Sequence, residues 1–136
     1  MKPPEEIKRK VLAGWLRKAD ADLEVAKHLF NEGAVYPNAI AFHSQQAAEK
    51  YLKAFLTWRQ VAFPKTHDLE VLLDLVEYEN TGLAESLRDI IILTSYGIDL
   101  CYPGDSPDTT AEEAREAVEL ADKVCRAVMA FLADIL

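Results

Sequence analysis

Three histidines, His28, His43 and His67, are the side chains of this 136-residue chain that ordinarily change charge close to neutrality. An imidazole of that kind suits general acid or base work, and a cation beside it can steady a phosphate. Lys50 and Lys53 have the most suggestive spacing. With His43, Gln46 and Glu49 they form a continuous polar strip when residues 43–53 are wound at about 100° per residue. The strip reads in one of two ways. It is an ordinary solvent-facing surface with a small gain from Glu49 and Lys53, or His43, Gln46, Lys50 and Lys53 are donors for a phosphate or a partner's carboxylate. His67, between Thr66 and Asp68 at a helix start, reads as a capping or packing residue, and His28 as solvated. Asp99, Tyr102 and Asp105 gather near the end of a later helix. They could line a cleft with the strip, and a loop cap explains them equally well.

Other chemistries lack their residues. The chain has no Gly-rich phosphate cradle, no Walker-type Lys, no HExxH and no paired Cys ligands, so neither an independent NTPase nor a zinc enzyme is expected. No metal and no cofactor is predicted. Cys101 and Cys125 are too few for a disulfide framework, and Cys101 has no cationic neighbour to activate it.

Fifteen Lys and Arg against 23 Asp and Glu give a net charge of −8, which argues against non-specific nucleic-acid binding. The charge is uneven: residues 1–18 carry six basic and two acidic side chains, whereas residues 68–136 carry four basic and sixteen acidic ones. The acidic half reads as solvated helix surface, or as a face that rejects phosphate backbones or attracts a basic partner. The first residues, Met1 to Ile7, lack the apolar core of a signal peptide, and no apolar run is long enough to span a bilayer. A cytoplasmic location and no membrane partner are the expectation.

Half the residues are apolar and only five are Gly and six Pro, a composition that excludes disordered and collagen-like classes. Apolar residues recur with helical period and no strand-like alternation appears. A first helix is expected over about Glu6 to Asn31 on the stripe Leu12, Leu16, Ala19, Leu23, Ala26 and Phe30, stopped by Gly33. Pro37 suits the first turn of a second, running to about Gln60, in which Ser44 must bond back along the helix or find a core partner. A third spans Asp68 to Glu79, capped by Thr66 or Asp68, and Asn80-Thr81-Gly82 forms a turn. A fourth runs from Leu83 to Leu100. Its Ile90-Ile91-Ile92-Leu93 run is apolar around most of the circumference, which points to a homodimeric or heteromeric contact. Tyr102 to Asp108 is a loop. Thr110 and Glu113 make a capping box for a last helix with the seam Ala114, Val118, Ala121, Cys125, Val128, Leu132 and Ile135, packed within the bundle. The expectation is an all-α, single-domain, antiparallel up-and-down bundle of five helices.

The stretch Ala41-Phe42-His43-Ser44-Gln45-Gln46-Ala47-Ala48-Glu49-Lys50-Tyr51-Leu52-Lys53-Ala54-Phe55-Leu56 resembles the signature helix of the HEPN domain, the higher-eukaryote and prokaryote nucleotide-binding domain. Asp20-Ala21-Asp22-Leu23 with Phe30-Asn31-Glu32-Gly33 is similar to its first helix and turn. Pro64-Lys65-Thr66-His67-Asp68-Leu69 is similar to its third-helix entry, and Tyr102-Pro103-Gly104 to the loop before its last helix. The resemblance covers about residues 13–132. It implies a helical bundle, commonly dimeric, like the helical domain of aminoglycoside nucleotidyltransferases and often encoded beside a minimal nucleotidyltransferase. Some members are metal-independent ribonuclease toxins that use an Arg followed, after four to six residues, by a His. Others bind nucleotides without nuclease activity.

This chain departs from the ribonuclease pattern. No Arg precedes a His at the required gap, since seven residues separate Arg59 from His67. Cys101 stands where the family often places Arg before Tyr-Pro, and no His follows it. The first expectation is therefore a non-catalytic partner, with His43, Gln46, Lys50 and Lys53 holding a nucleotide or a separately encoded minimal nucleotidyltransferase in a toxin–antitoxin-like pair. The alternatives are a divergent ribonuclease toxin using His43 or His67, and a dimeric interaction module that binds no nucleotide.

Overall fold

The computed structural model describes residues 5–98 and 108–133. Among them all regular structure is helical, with no strand: α1 (Glu5–Asn31), α2 (Pro37–Trp58), α3 (Leu69–Glu79), α4 (Thr81–Ser86), a 3-10 segment (Arg88–Leu93), α5 (Thr94–Ile98) and α6 (Ala111–Leu132). No described helix is long and apolar enough to cross a membrane.

α1 and α2 form an antiparallel hairpin. The stripe Leu12, Leu16, Ala19, Leu23 and Ala26 is buried along α1, one residue per turn or so, and this face seats against α2. The reversal between them uses left-handed backbone at Gly33 (φ 96°), Ala34 (φ 55°) and Tyr36 (φ 54°), after which Pro37 opens α2 with its φ already set for a helix. α6 lies along both. Phe55 meets Phe131 edge-on and Thr109 N–H donates to Asn38 Oδ1, so α6 runs parallel to α2. The predicted capping box closes its first turn: Thr110 Oγ1 accepts from Glu113 N–H, and Glu113 Oε1 from Thr110 N–H. Ala114, Val118, Ala121, Val128 and Leu132 of the predicted seam are buried, joined by Ala117 and Val124; Cys125 is half-buried, and Ile135 lies outside the described residues.

The second half of the chain differs from expectation in one stretch. Asn80-Thr81-Gly82 does not form a separate turn; Asn80 caps α4 by accepting from Leu83 N–H, and the helix starts at Thr81. The single helix expected from Leu83 to Leu100 is three pieces, α4, the 3-10 segment and α5. Tightening to three residues per turn brings Ile90 and Leu93 onto one line, and both are fully buried, whereas Ile91 is half-buried and Ile92 is 51% exposed. The apolar run therefore serves mainly this chain's own core. α2 likewise ends at Trp58, short of Gln60, whose φ is 59°.

α2 is the central element. It packs on α1, α3, α5 and α6, and thirteen of its 22 residues are buried. A helix enclosed on that many sides cannot keep a wide polar strip in water, and this fact shapes the site.

Candidate functional site

The polar strip of α2 is folded inward against neighbours, which corrects the expectation that Lys50 and Lys53 look outward together from a solvent-facing surface. Ser44, Gln45, Glu49 and Lys53 are all buried. Ser44 is satisfied by donating to Ile40 O at 2.8 Å, one of the two solutions its position allowed. The other polar groups divide between two carboxylates.

The first is Asp22, on α1. His43 and Lys50 lie two turns apart on one face of α2, and Asp22 reaches both: Oδ1 is 2.9 Å from His43 Nδ1, and Oδ2 accepts from Lys50 Nζ at 2.5 Å. The cluster stands at the α1–α2 seam with the side chains of His43 and Lys50 31% and 21% exposed. Next to it, the buried Tyr51 hydroxyl donates to Asp20 Oδ1, and burial, with that carboxylate's help, pushes the phenol's pKa well above its ordinary value.

The second is Glu49, whose side chain is only 4% exposed. It accepts from Lys53 Nζ at 3.0 Å and from Gln45 Nε2 at 3.2 Å, and lies 2.7 Å from His67 Nδ1. Gln45 also donates to His67 O and accepts from Gln46 Nε2 at 2.7 Å. Lys53 runs between Trp15 and Phe63, its ammonium 5.7 Å and 5.8 Å from their ring centroids. The backbone of Gly97 presses on this network from α5: a Cβ there would lie 2.5 Å from Gln45 Oε1.

His67 is not the helix cap. Asp68 fills that role by accepting from Glu70 N–H. The His67 ring is instead 56% exposed with Nδ1 held by a buried carboxylate. A carboxylate in its ionised form only accepts, so with Glu49 ionised the proton of that contact sits on Nδ1, and Nε2 has no hydrogen bond among the described residues. His28 is exposed, as expected.

Of the predicted site residues, the structure thus joins His43 and Lys50 through Asp22, and Gln46 and Lys53 through Gln45 and Glu49. Asp99, Tyr102 and Asp105, with Cys101, lie outside the described residues. Among the described residues no three His, Cys, Asp or Glu side chains gather to hold a metal ion. Sequence reasoning did not give Asp22, Glu49 and Gln45 their organising roles. The available signal was Asp20-Ala21-Asp22, two carboxylates interrupting a helix that otherwise offers α2 an apolar stripe. The arrangement can orient two imidazoles, each by a carboxylate, and present one ammonium at a half-open seam.

A model of the HEPN domain family matches residues 12–131. Among solved structures the chain is similar to the crystal structure of TT1696 from Thermus thermophilus, at 28% identity over 86% of this chain and 94% of that one, with a TM-score of 0.69. No curated protein matches it.

Proposed function

The chain belongs to the HEPN domain family, and from that premise we propose that it is a non-catalytic module which positions a nucleotide or an acceptor substrate for a separately encoded minimal nucleotidyltransferase. The observation that carries this reading is the Asp22 cluster. Two donors from one helix face, His43 and Lys50, converge on a single carboxylate at a half-open seam. When His43 is protonated the trio carries one net positive charge, and a phosphate at the seam finds two donors already oriented. The lack of an Arg at the ribonuclease spacing from any His supports a binding role over a catalytic one. Lys53 is not a phosphate ligand in this reading, because Glu49 and two aromatic rings enclose its ammonium.

Co-expression with the transferase encoded nearest to the gene, followed by affinity purification and calorimetry with ATP and GTP, tests the proposal. A stable complex whose nucleotide affinity falls at least about tenfold in Lys50→Ala, the loss of one charge-assisted contact, is the expected result. No complex and no heat from either nucleotide refutes it.

One observation favours a second reading. A buried Glu49 that fixes His67 with its other nitrogen free is the arrangement of an oriented general base or acid, as a divergent ribonuclease would need. RNA cleavage abolished by His67→Ala and untouched by His43→Ala would replace the first reading with this one.

A further inference from the structure

α2 opens without a side-chain cap. Tyr36 stands at the N-cap in left-handed backbone (φ 54°) and offers the first turn no side-chain acceptor, where Ser, Thr, Asp or Asn would ordinarily supply one. Pro37 has no N–H, and Ile40 N–H donates to Tyr36 O at 3.0 Å. The N–H groups of Asn38 and Ala39 are left with no acceptor among the described residues. They sit at the head of a 22-residue helix, where its dipole is positive.

The residues just before α6 are fastened to this head through the Asn38 side chain. Its Oδ1 accepts from Thr109 N–H at 2.8 Å, and its Nδ2 donates to Asp108 Oδ1 at 3.3 Å. Here lies a cavity of about 410 Å³ lined by Tyr36, Pro37, Asn38, Ala39, Asp108 and Thr109, within the size range of small-molecule pockets. Thr109 is 7% exposed, and its hydroxyl is the one buried side-chain N or O that has no hydrogen-bond partner among the described residues. A buried hydroxyl left unpaired is destabilising, which a methyl in its place would not be.

We propose that this cavity binds a free α-amino acid with an apolar side chain. Donors and acceptor are separated in it. Asn38 N–H, Ala39 N–H and the Thr109 hydroxyl suit a carboxylate, and the Asp108 carboxylate suits an ammonium. No Lys, Arg or His lines the cavity and Asp108 does, so a compact dianion such as phosphate meets no counter-charge there. A zwitterion finds a partner for each of its charges. Tyr36, Pro37 and Ala39 supply the apolar wall for its side chain. The site shares no residue with the Asp22 cluster, so either can fail without the other.

Amide NMR and calorimetry on the full chain, titrated to about 10 mM with L-leucine, L-valine and L-phenylalanine, test this. At least one of the three should bind, with the largest shifts at the Asn38 and Ala39 amides. For leucine, removing either charge, as 4-methylpentanoate or as leucinamide, should weaken binding at least about tenfold, the loss of one charge-assisted contact. Thr109→Val should weaken binding by a similar factor while the ligand-free protein melts no lower than wild type, since its hydroxyl has no partner to lose. Thr109→Ser restores the hydroxyl and should restore binding. No shift from any of the three amino acids overturns the proposal. So does an analogue, or inorganic phosphate, that binds as tightly as the amino acid, or a Thr109→Val protein that is less stable without ligand. Shifts at Asn38 and Ala39 from ATP or GTP, with none from an amino acid, assign the cavity to the nucleotide and also overturn it.

Discussion

Replacing Glu49 by Gln keeps the shape of the side chain and removes its charge. Lys53, 9% exposed, then holds an ammonium between Trp15 and Phe63 with no counter-ion, and His67 loses its ionic partner. Exposed ion pairs contribute about 0–1 kcal/mol, but removing one member of a buried pair costs about 3–5 kcal/mol, since the remaining charge stays desolvated. A neutral amide still offers Lys53 one acceptor, which puts the expected loss near the lower end, about 3 kcal/mol. For a chain of this length that lowers the melting temperature by about 10 °C. Urea unfolding followed by circular dichroism measures it, with the combined fluorescence of Trp15 and Trp58 as a second probe. The companion double variant Glu49→Leu with Lys53→Met fills similar volume without charge, and should recover most of the loss, because a buried pair often does no better than well-packed apolar groups. A Glu49→Gln loss below about 1 kcal/mol, or a double variant no more stable than the single, would refute the view that a desolvated charge pair sets the energetics here.

Tyr51→Phe deletes a buried hydroxyl bonded to Asp20 and should cost about 1 kcal/mol by urea titration. Because burial raises the folded-state pKa of this phenol above its unfolded value near 10, its contribution holds below that pH and is lost as pH rises above it; absorbance at alkaline pH should show one tyrosine that titrates only with unfolding. Thr110→Ala opens the capping box and should cost about 1 kcal/mol. The Thr110 N–H holds the Glu113 carboxyl below its usual range, so that contribution is present above the ordinary Glu value and fades as acid titration passes through the lowered pKa, a loss the Thr110→Pro variant should not show. Gly97→Ala drives a methyl into Gln45, whose amide is already engaged with Gln46, Glu49 and His67, and should destabilise by about 1–3 kcal/mol; a neutral effect would mean that α5 can move away freely.

Long, strongly periodic elements were legible in the sequence. The α1 stripe, Pro37 at the start of α2, the Thr110–Glu113 box and the α6 seam each rest on a local rule that nothing distant overrides. The break of the fourth helix was not legible, because isoleucines in a row satisfy an α-helical and a 3-10 reading alike until one knows which of them meet the core. The polar strip failed for a related reason. A helical wheel ranks residues around one axis and does not count the helices pressed against it, and α2 has enough neighbours to bury Glu49 and Lys53. The pairing of Asp22 with His43 and Lys50 joins residues 21 and 28 positions apart, a relation that only the register of the α1–α2 hairpin fixes.

That hairpin also has a consequence for synthesis. Its two helices are adjacent in the chain and can close early, since their contacts span short loops. The flank of α2 that α6 finally covers must wait for residues made about seventy positions later. Until then, Phe55 and its apolar neighbours on a growing polypeptide have only water or a chaperone to lean on, so changes that slow the arrival of α6 should show first as insoluble product and only later as lost function.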